Sequence, residues 1–183
     1  EHFKRRGESV MTLSEAQAVT QKEYASTQVL LSQLVKRGIL ARIKSGKFLI
    51  LELGRENTQL SNWPVLAREL ARPEQYFLSH YSAMRLHGMT THSLFETYIS
   101  APIRRKKYSI GDIQYHFIYV KKSHFWGMQK IWVTKVEQVM VSDLERTLLD
   151  ALDRQDVSGG WLEVARGLWK ARESIDRKRL VQY

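Results

Sequence analysis

The chain has 183 residues, of which 43% are hydrophobic and 10% aromatic, and its formal charge is +10. That is enough apolar content for packed cores, so an unfolded chain is excluded, and the length suits one sizeable domain or a small one plus a medium one. There is no cysteine, which excludes disulfides, thiolate zinc sites and cysteine nucleophiles, while the positive excess favours a polyanion, nucleic acid above all.

The N-terminus lacks the hydrophobic region of a signal peptide, and no apolar run approaches the length of a membrane span. A soluble, cytoplasmic protein is expected. The sequence begins at Glu1 rather than Met and stops at Tyr183 inside what reads as a young helix, so it is expected to be part of a longer chain. His2 to Arg6 reads as the tail of a helix that precedes the first motif.

Met11 to Leu51 is the most informative stretch. Thr12-Leu13-Ser14-Glu15 has the form of a capping box, which predicts a helix after Thr12 with Leu13, Ala16 and Val19 as a thin apolar stripe. Thr20-Gln21-Lys22-Glu23 has the same form and predicts a second helix reaching Arg37. Its inner side is read as Tyr24, Thr27 or Gln28, Leu31, Leu34 and Val35, and Gly38 as its left-handed cap. The period then changes. Ile39 to Ile43 and Lys47 to Leu51 alternate like strands around a Lys44-Ser45-Gly46 turn.

Two helices followed by a basic hairpin are the plan of a winged helix-turn-helix, in which the second helix enters the major groove. The candidate DNA-binding residues are Gln21, Lys22, Ser26, Ser32, Gln33 and Lys36 on that helix, with Arg42, Lys44, Ser45 and Lys47 at the ribbon. Gln and Ser read base edges and Lys neutralises phosphates. A structural helix pair with a merely solvated hairpin is the competing reading.

Residues 52–62 are polar, with Gly54 near the start, and form the best linker candidate. Trp63 to Ala71 reads as a helix with Pro64 in its first turn, broken by Pro73-Glu74-Gln75. Tyr76-Phe77-Leu78 is a short buried strand or lead-in, and Ser79 a cap for a helix stopping at Gly88. Strands are predicted over Leu94–Ser100, Ile113–Val120, Ile131–Val133 and Glu137–Val141. Ser142-Asp143-Leu144-Glu145 is a further capping box, opening a helix whose apolar stripe is Leu144, Leu148, Leu149 and Leu152. Gly159-Gly160 separates it from a helix beginning at Trp161, and Ser174 caps the last one.

The fold expected is therefore α+β: a winged helix-turn-helix domain over residues 1–53, a linker over 54–62, and a mixed α/β domain over 63–183. In that second part, Leu78 to Thr91 (LSHYSAMRLHGMTT), Val141 to Leu152 (VSDLERTLLDAL) and the Gly-Gly helix resemble the AbiEi family, and the similarity extends over nearly the whole chain. These are antitoxins and transcriptional regulators of type IV toxin–antitoxin systems, linked to phage abortive infection. The resemblance implies an N-terminal DNA-binding domain that represses its own operon at double-stranded operator DNA. It implies a C-terminal domain that counters a nucleotidyltransferase-like toxin without a stable complex. It brings no catalytic residues and no cofactor, so a non-enzyme is expected. The alternatives are a nucleic-acid-processing enzyme and an antitoxin that binds its toxin directly.

Other chemistry finds little support. Asp143, Glu145, Asp150 and Asp153 could be read as nuclease metal ligands, but the first two sit where helix caps belong and Asp150 is nearly two turns away. His80 and His87 are seven apart without a H-E-x-x-H pattern, and read as packing or hydrogen-bonding histidines, like His2, His92, His116 and His124. No phosphate loop, dinucleotide fingerprint or nucleophile elbow occurs. The run Arg104, Arg105, Lys106, Lys107 with Lys121 and Lys122 is a candidate second basic surface, extended by Lys130 and Lys135. A solvated loop face is its plain alternative. Tyr119, Phe125, Trp126 and Trp132, interleaved with these charges, read as core or loop anchors before base-stacking platforms.

Overall fold

A computed structural model of the chain describes residues 2–51, 63–72, 75–91 and 95–183, and the fold is mixed α+β with two sheets. The expected linker, residues 54–62, lies outside the described residues, as do Leu94, His92 and the Pro73-Glu74 break.

The first sheet is antiparallel in the order β1-β3-β2, from β1 (Val10–Thr12), β2 (Leu40–Lys44) and β3 (Lys47–Ile50). A short α1 (His2–Arg5) precedes it, and α2 (Leu13–Thr20) and α3 (Tyr24–Lys36) lie between β1 and β2. Thr12 starts α2 through a complete capping box. Its N–H donates to Glu15 Oε2 at 2.7 Å, and the Glu15 N–H donates to Thr12 Oγ1 at 3.2 Å.

The second box predicted for this region does not form. Thr20 is the last residue of α2 and its hydroxyl donates back to Ala16 O at 2.8 Å. Gln21 then turns left-handed with φ 54°, and α3 begins only after Glu23. Thr20 lies on the wrong side of that turn to cap anything. The end of α3 is as expected: Gly38 has φ +68°, its N–H donates to Val35 O at 3.0 Å, and the Ile39 N–H donates to Leu34 O at 3.0 Å. Beneath α2 and α3 lie Met11, Leu13, Ala16, Leu31, Leu40 and Phe48. Tyr24, expected inside, is 56% exposed, while Thr27 is fully buried.

The second sheet has six strands in the order β6-β7-β5-β4-β9-β8. Its strands are β4 (Phe77–Leu78), β5 (Glu96–Ala101), β6 (Tyr108–Ile110), β7 (Ile113–Tyr119), β8 (Met128–Trp132) and β9 (Gln138–Ser142). The β5/β7 and β4/β9 pairs are parallel and the others antiparallel. Helix α4 (Trp63–Ala71) packs on β5 and β9 and also touches β2. One apolar cluster therefore joins Ile43 and Leu49 of the first sheet to Trp63, Leu66 and Leu70 of α4 and to Ile99 and Val139 of the second.

Helices α5 (His80–Leu86), α6 (Leu144–Asp153) and α7 (Trp161–Ala171) share a smaller core of Met84, Met89, Leu148, Ala151 and Val164, and α8 (Arg177–Gln182) closes the chain. Two predicted caps shift to a neighbouring carboxylate. Asp143, not Ser142, caps α6 by accepting from the Arg146 N–H at 2.8 Å. Ser142 ends β9, and its hydroxyl is engaged with Thr147 Oγ1 at 2.8 Å. Asp176, not Ser174, caps α8 through the Lys178 and Arg179 N–H groups. Leu152, read as part of the inner stripe of α6, is 43% exposed.

Candidate nucleic-acid interface

Residues Thr27 and Leu31 turn α3 inward, which leaves Ser26, Gln33 and Lys36 exposed along its outer side and Ser32 half-buried at its edge. Gln21 and Lys22 are exposed but precede the helix, in the turn. Sequence reasoning missed Tyr24, Gln28 and Val29 on this surface. Val29 is 58% exposed, and an apolar side chain there suits a thymine methyl group. Gln28 Nε2 donates to the Tyr24 hydroxyl at 3.2 Å, which ties the two together.

The hairpin is divided in its duties. Arg42 is exposed, with its guanidinium 5.6 Å from the centre of the Phe48 ring, and Ser45 is exposed at the turn. Lys44 and Lys47 turn instead to the C-terminal end of α4. Lys47 Nζ donates to Glu69 Oε2 at 2.6 Å, and Lys44 Nζ donates to the Glu69 carbonyl at 3.4 Å. The unsatisfied carbonyls of a helix end attract cations for the same electrostatic reason.

Glu69 is the centre of that junction. Its side chain is 3% exposed and also meets Arg68 Nε at 3.1 Å and Arg72 at 3.4 Å. Arg68 continues to the Gln138 carbonyl at 2.9 Å and to Glu137 at 3.1 Å, so the network runs from β3 through α4 to β9. Burial alone would raise the Glu69 pKa, but the Lys47 hydrogen bond and the charges of Lys47, Arg72 and Arg68 hold it below the ordinary carboxylate value.

The second basic run reaches the same helix end. Arg105 donates to the Leu70 carbonyl and lies over the Phe117 ring, while Arg104 lies over Tyr119. The hairpin and the loop after β5 thus donate to carbonyls of adjacent residues of α4, Glu69 and Leu70. Lys106 and Lys107 are exposed and have no ion pair among the described residues. Lys121 and Lys122 are exposed after β7, at a single turn of 3-10 helix. No protein-family model matches the chain, and no curated protein matches it in sequence.

Three of the acids at α6 have structural partners. Asp143 accepts from the Tyr183 hydroxyl at 2.6 Å as well as capping the helix, and Glu145 accepts from the Asp176 N–H at 2.7 Å. Asp150 meets Arg146 at 2.7 Å. Arg146 is 6% exposed, lies 3.8 Å from the centre of the Trp126 ring, and donates to the His124 and Trp126 carbonyls. Trp126 is therefore a loop anchor. Among the described residues there is no group of side chains suited to a metal ion.

The histidines are likewise separate. His80 Nδ1 bonds Ser79 Oγ at 2.8 Å, and Ser79 in turn accepts from Ser100 at 2.8 Å, so the Ser79 hydroxyl serves this buried trio rather than the start of α5. Burial lowers the His80 pKa to about 4, with help from Arg154 and Arg146. His87 Nε2 meets the Ser142 carbonyl at 2.7 Å. No helix among the described residues is long and apolar enough to cross a membrane.

Proposed function

We propose that residues 2–51 form a winged helix-turn-helix that binds double-stranded operator DNA, and that the chain is a repressor acting as the antitoxin of a type IV toxin–antitoxin pair. The observation that carries the DNA reading is the outer side of α3, where Ser26, Val29, Gln33 and Lys36 are presented together. With α3 in the major groove, Gln33 is suited to an adenine edge, Ser26 and Ser32 to either edge, and Val29 to a thymine methyl. Lys22, Lys36 and Arg42 neutralise phosphates. Lys44 and Lys47 contribute by fixing the hairpin against α4, since Lys47 already has a carboxylate partner.

Arg104, Lys106, Lys107, Lys121 and Lys122 extend the positive surface to flanking phosphates in this reading. The antitoxin part rests on the resemblance of Leu78 to Thr91 and Val141 to Leu152 to the AbiEi family. The toxin would be nucleotidyltransferase-like and countered without a stable complex, by a protein working in the cytoplasm.

The test separates the two roles. A Gln33→Ala, Lys36→Ala double variant is supplied from an independent promoter, and both operon repression and survival of toxin expression are measured. Repression is expected to fall while protection persists at equal protein levels. Full repression by the variant would remove α3 from operator recognition, and loss of protection would show that the two activities are inseparable.

A further inference from the structure

The geometry points to a binding site for a nucleotide, a base carrying a phosphate, in the cleft between the C-terminal end of α4 and the outer edge of the second sheet. The cleft holds about 300 Å³ and is walled by Arg68, Arg72 and Tyr76 on one side and by Lys130, Trp132 and Met140 on the other. That is the lower end of the range for small-molecule sites, about 300–1,000 Å³, and suits one nucleotide rather than a longer ligand.

The strand register builds the second wall. Lys130 and Trp132 are two residues apart on β8, so they point to one face, and their partners across the ladder are Met140 and Gln138 of β9. β8 is the last strand of the sheet among the described residues. Trp132 is 64% exposed at this edge. An indole left open beside cations offers a stacking surface that any base can use.

The cations differ in what they have left to give. Arg68 is spent on Glu69, Glu137 and the Gln138 carbonyl. Arg72 is 54% exposed, its one ion pair among the described residues is with Glu69 at 3.4 Å, and it lines the cleft. Lys130 is exposed and has no ion pair among the described residues. An arginine fork and a lysine at one mouth are the usual means of holding a phosphate. The Tyr76 hydroxyl accepts from the Met140 N–H at 3.4 Å, which keeps its ring in the wall. Phosphate on Arg72 and Lys130, with the base over Trp132, uses each of these groups once. The site stands apart from α3 and does not depend on the operator reading.

The nucleotide comes either free or as an unpaired residue of a nucleic-acid strand, and the experiment has an arm for each. Isothermal titration of the full chain uses GMP, AMP, inorganic phosphate and a short single-stranded oligothymidine. Saturable binding of a mononucleotide, at least about tenfold tighter than phosphate, identifies a free nucleotide; binding of the oligonucleotide alone identifies a strand. In either case Arg72→Ala, Lys130→Ala and Trp132→Ala should each weaken binding about tenfold, and Lys178→Ala, which removes one remote charge, should not. Lys130 and Trp132 are exposed, so those two variants are expected to fold, as circular dichroism verifies. Saturable binding of neither nucleotide nor strand overturns the inference. So does binding that Trp132→Ala and Lys130→Ala leave unchanged.

Discussion

Replacing Glu69 by Gln tests whether the ionic junction holds the first sheet to the second. The substitution keeps the shape and removes the charge that faces Lys47 at 2.6 Å, Arg68 at 3.1 Å and Arg72 at 3.4 Å. Breaking a buried ion pair from one side costs about 3–5 kcal/mol. Here the orphaned cations recover part of that cost. Lys47 is 26% and Arg72 54% exposed, and Arg68 retains Glu137. The expected loss is thus about 2–3 kcal/mol, below that range, because two of the three cations can rehydrate. For a chain of this length it lowers the Tm by roughly 5–10 °C. The assay is urea and thermal denaturation of both proteins by circular dichroism.

Acid gives a second arm to the same experiment. Because the folded-state pKa of Glu69 is lowered, its contribution is present above the unfolded value near 4.5 and is lost as pH falls through the folded value. The two proteins should therefore converge in stability as pH falls through the lowered folded-state value of Glu69. A Glu69→Gln loss under about 0.5 kcal/mol at neutral pH would place Glu69 with ordinary surface carboxylates and refute the junction.

Three further outcomes follow from named contacts. Burial lowers the His80 pKa to about 4, so its contribution is complete above the unfolded value and is lost as pH falls from roughly 6.5 to 4; stability should drop by up to about 3 kcal/mol over that window, and a His80→Asn variant should lack this slope in denaturation at stepped pH. Arg146→Leu removes the cation over Trp126 and leaves Asp150 buried without its partner, for a loss of about 3–5 kcal/mol and a change in near-ultraviolet circular dichroism; a loss under about 1 kcal/mol would refute its role as an anchor. Changing Lys106 and Lys107 to Ala should reduce the salt dependence of DNA binding by up to roughly one log-log unit per lost phosphate contact, and an unchanged slope would remove this loop from the interface.

Locally determined features were legible in the sequence. The bounds of α4, the capping box at Thr12 and the glycine ends of α3 and α5 each depend on a few adjacent residues, and all were read correctly. The short strands β1 and β6 were missed because three residues give too little alternation to register. Cap positions slipped at Thr20, Ser142 and Ser174, where the hydroxyl was committed elsewhere or a nearby carboxylate was better placed. Non-local chemistry was illegible. The partners of Glu69 include a lysine 22 residues earlier in the chain, and nothing near Lys47 announces that it faces a helix end rather than solvent. Nothing near Arg146 in the chain announces its partner, and only the fold brings Trp126 over it. Of the residues read onto the outer side of α3, Ser26, Gln33 and Lys36 are exposed and Ser32 is half-buried, and Val29, which was not among them, is exposed on the same side.

We propose that α3 reads a DNA sequence rather than merely attracting phosphate. The most direct measurement is the affinity of the full chain, at physiological salt, for the DNA upstream of its own operon and for unrelated DNA of equal length. At least about a thousandfold preference for the upstream DNA is expected, reduced by Gln33→Ala through weaker specific binding while nonspecific binding holds. Equal affinities for the two DNAs would contradict it, since a charge of +10 alone gives sequence-blind binding.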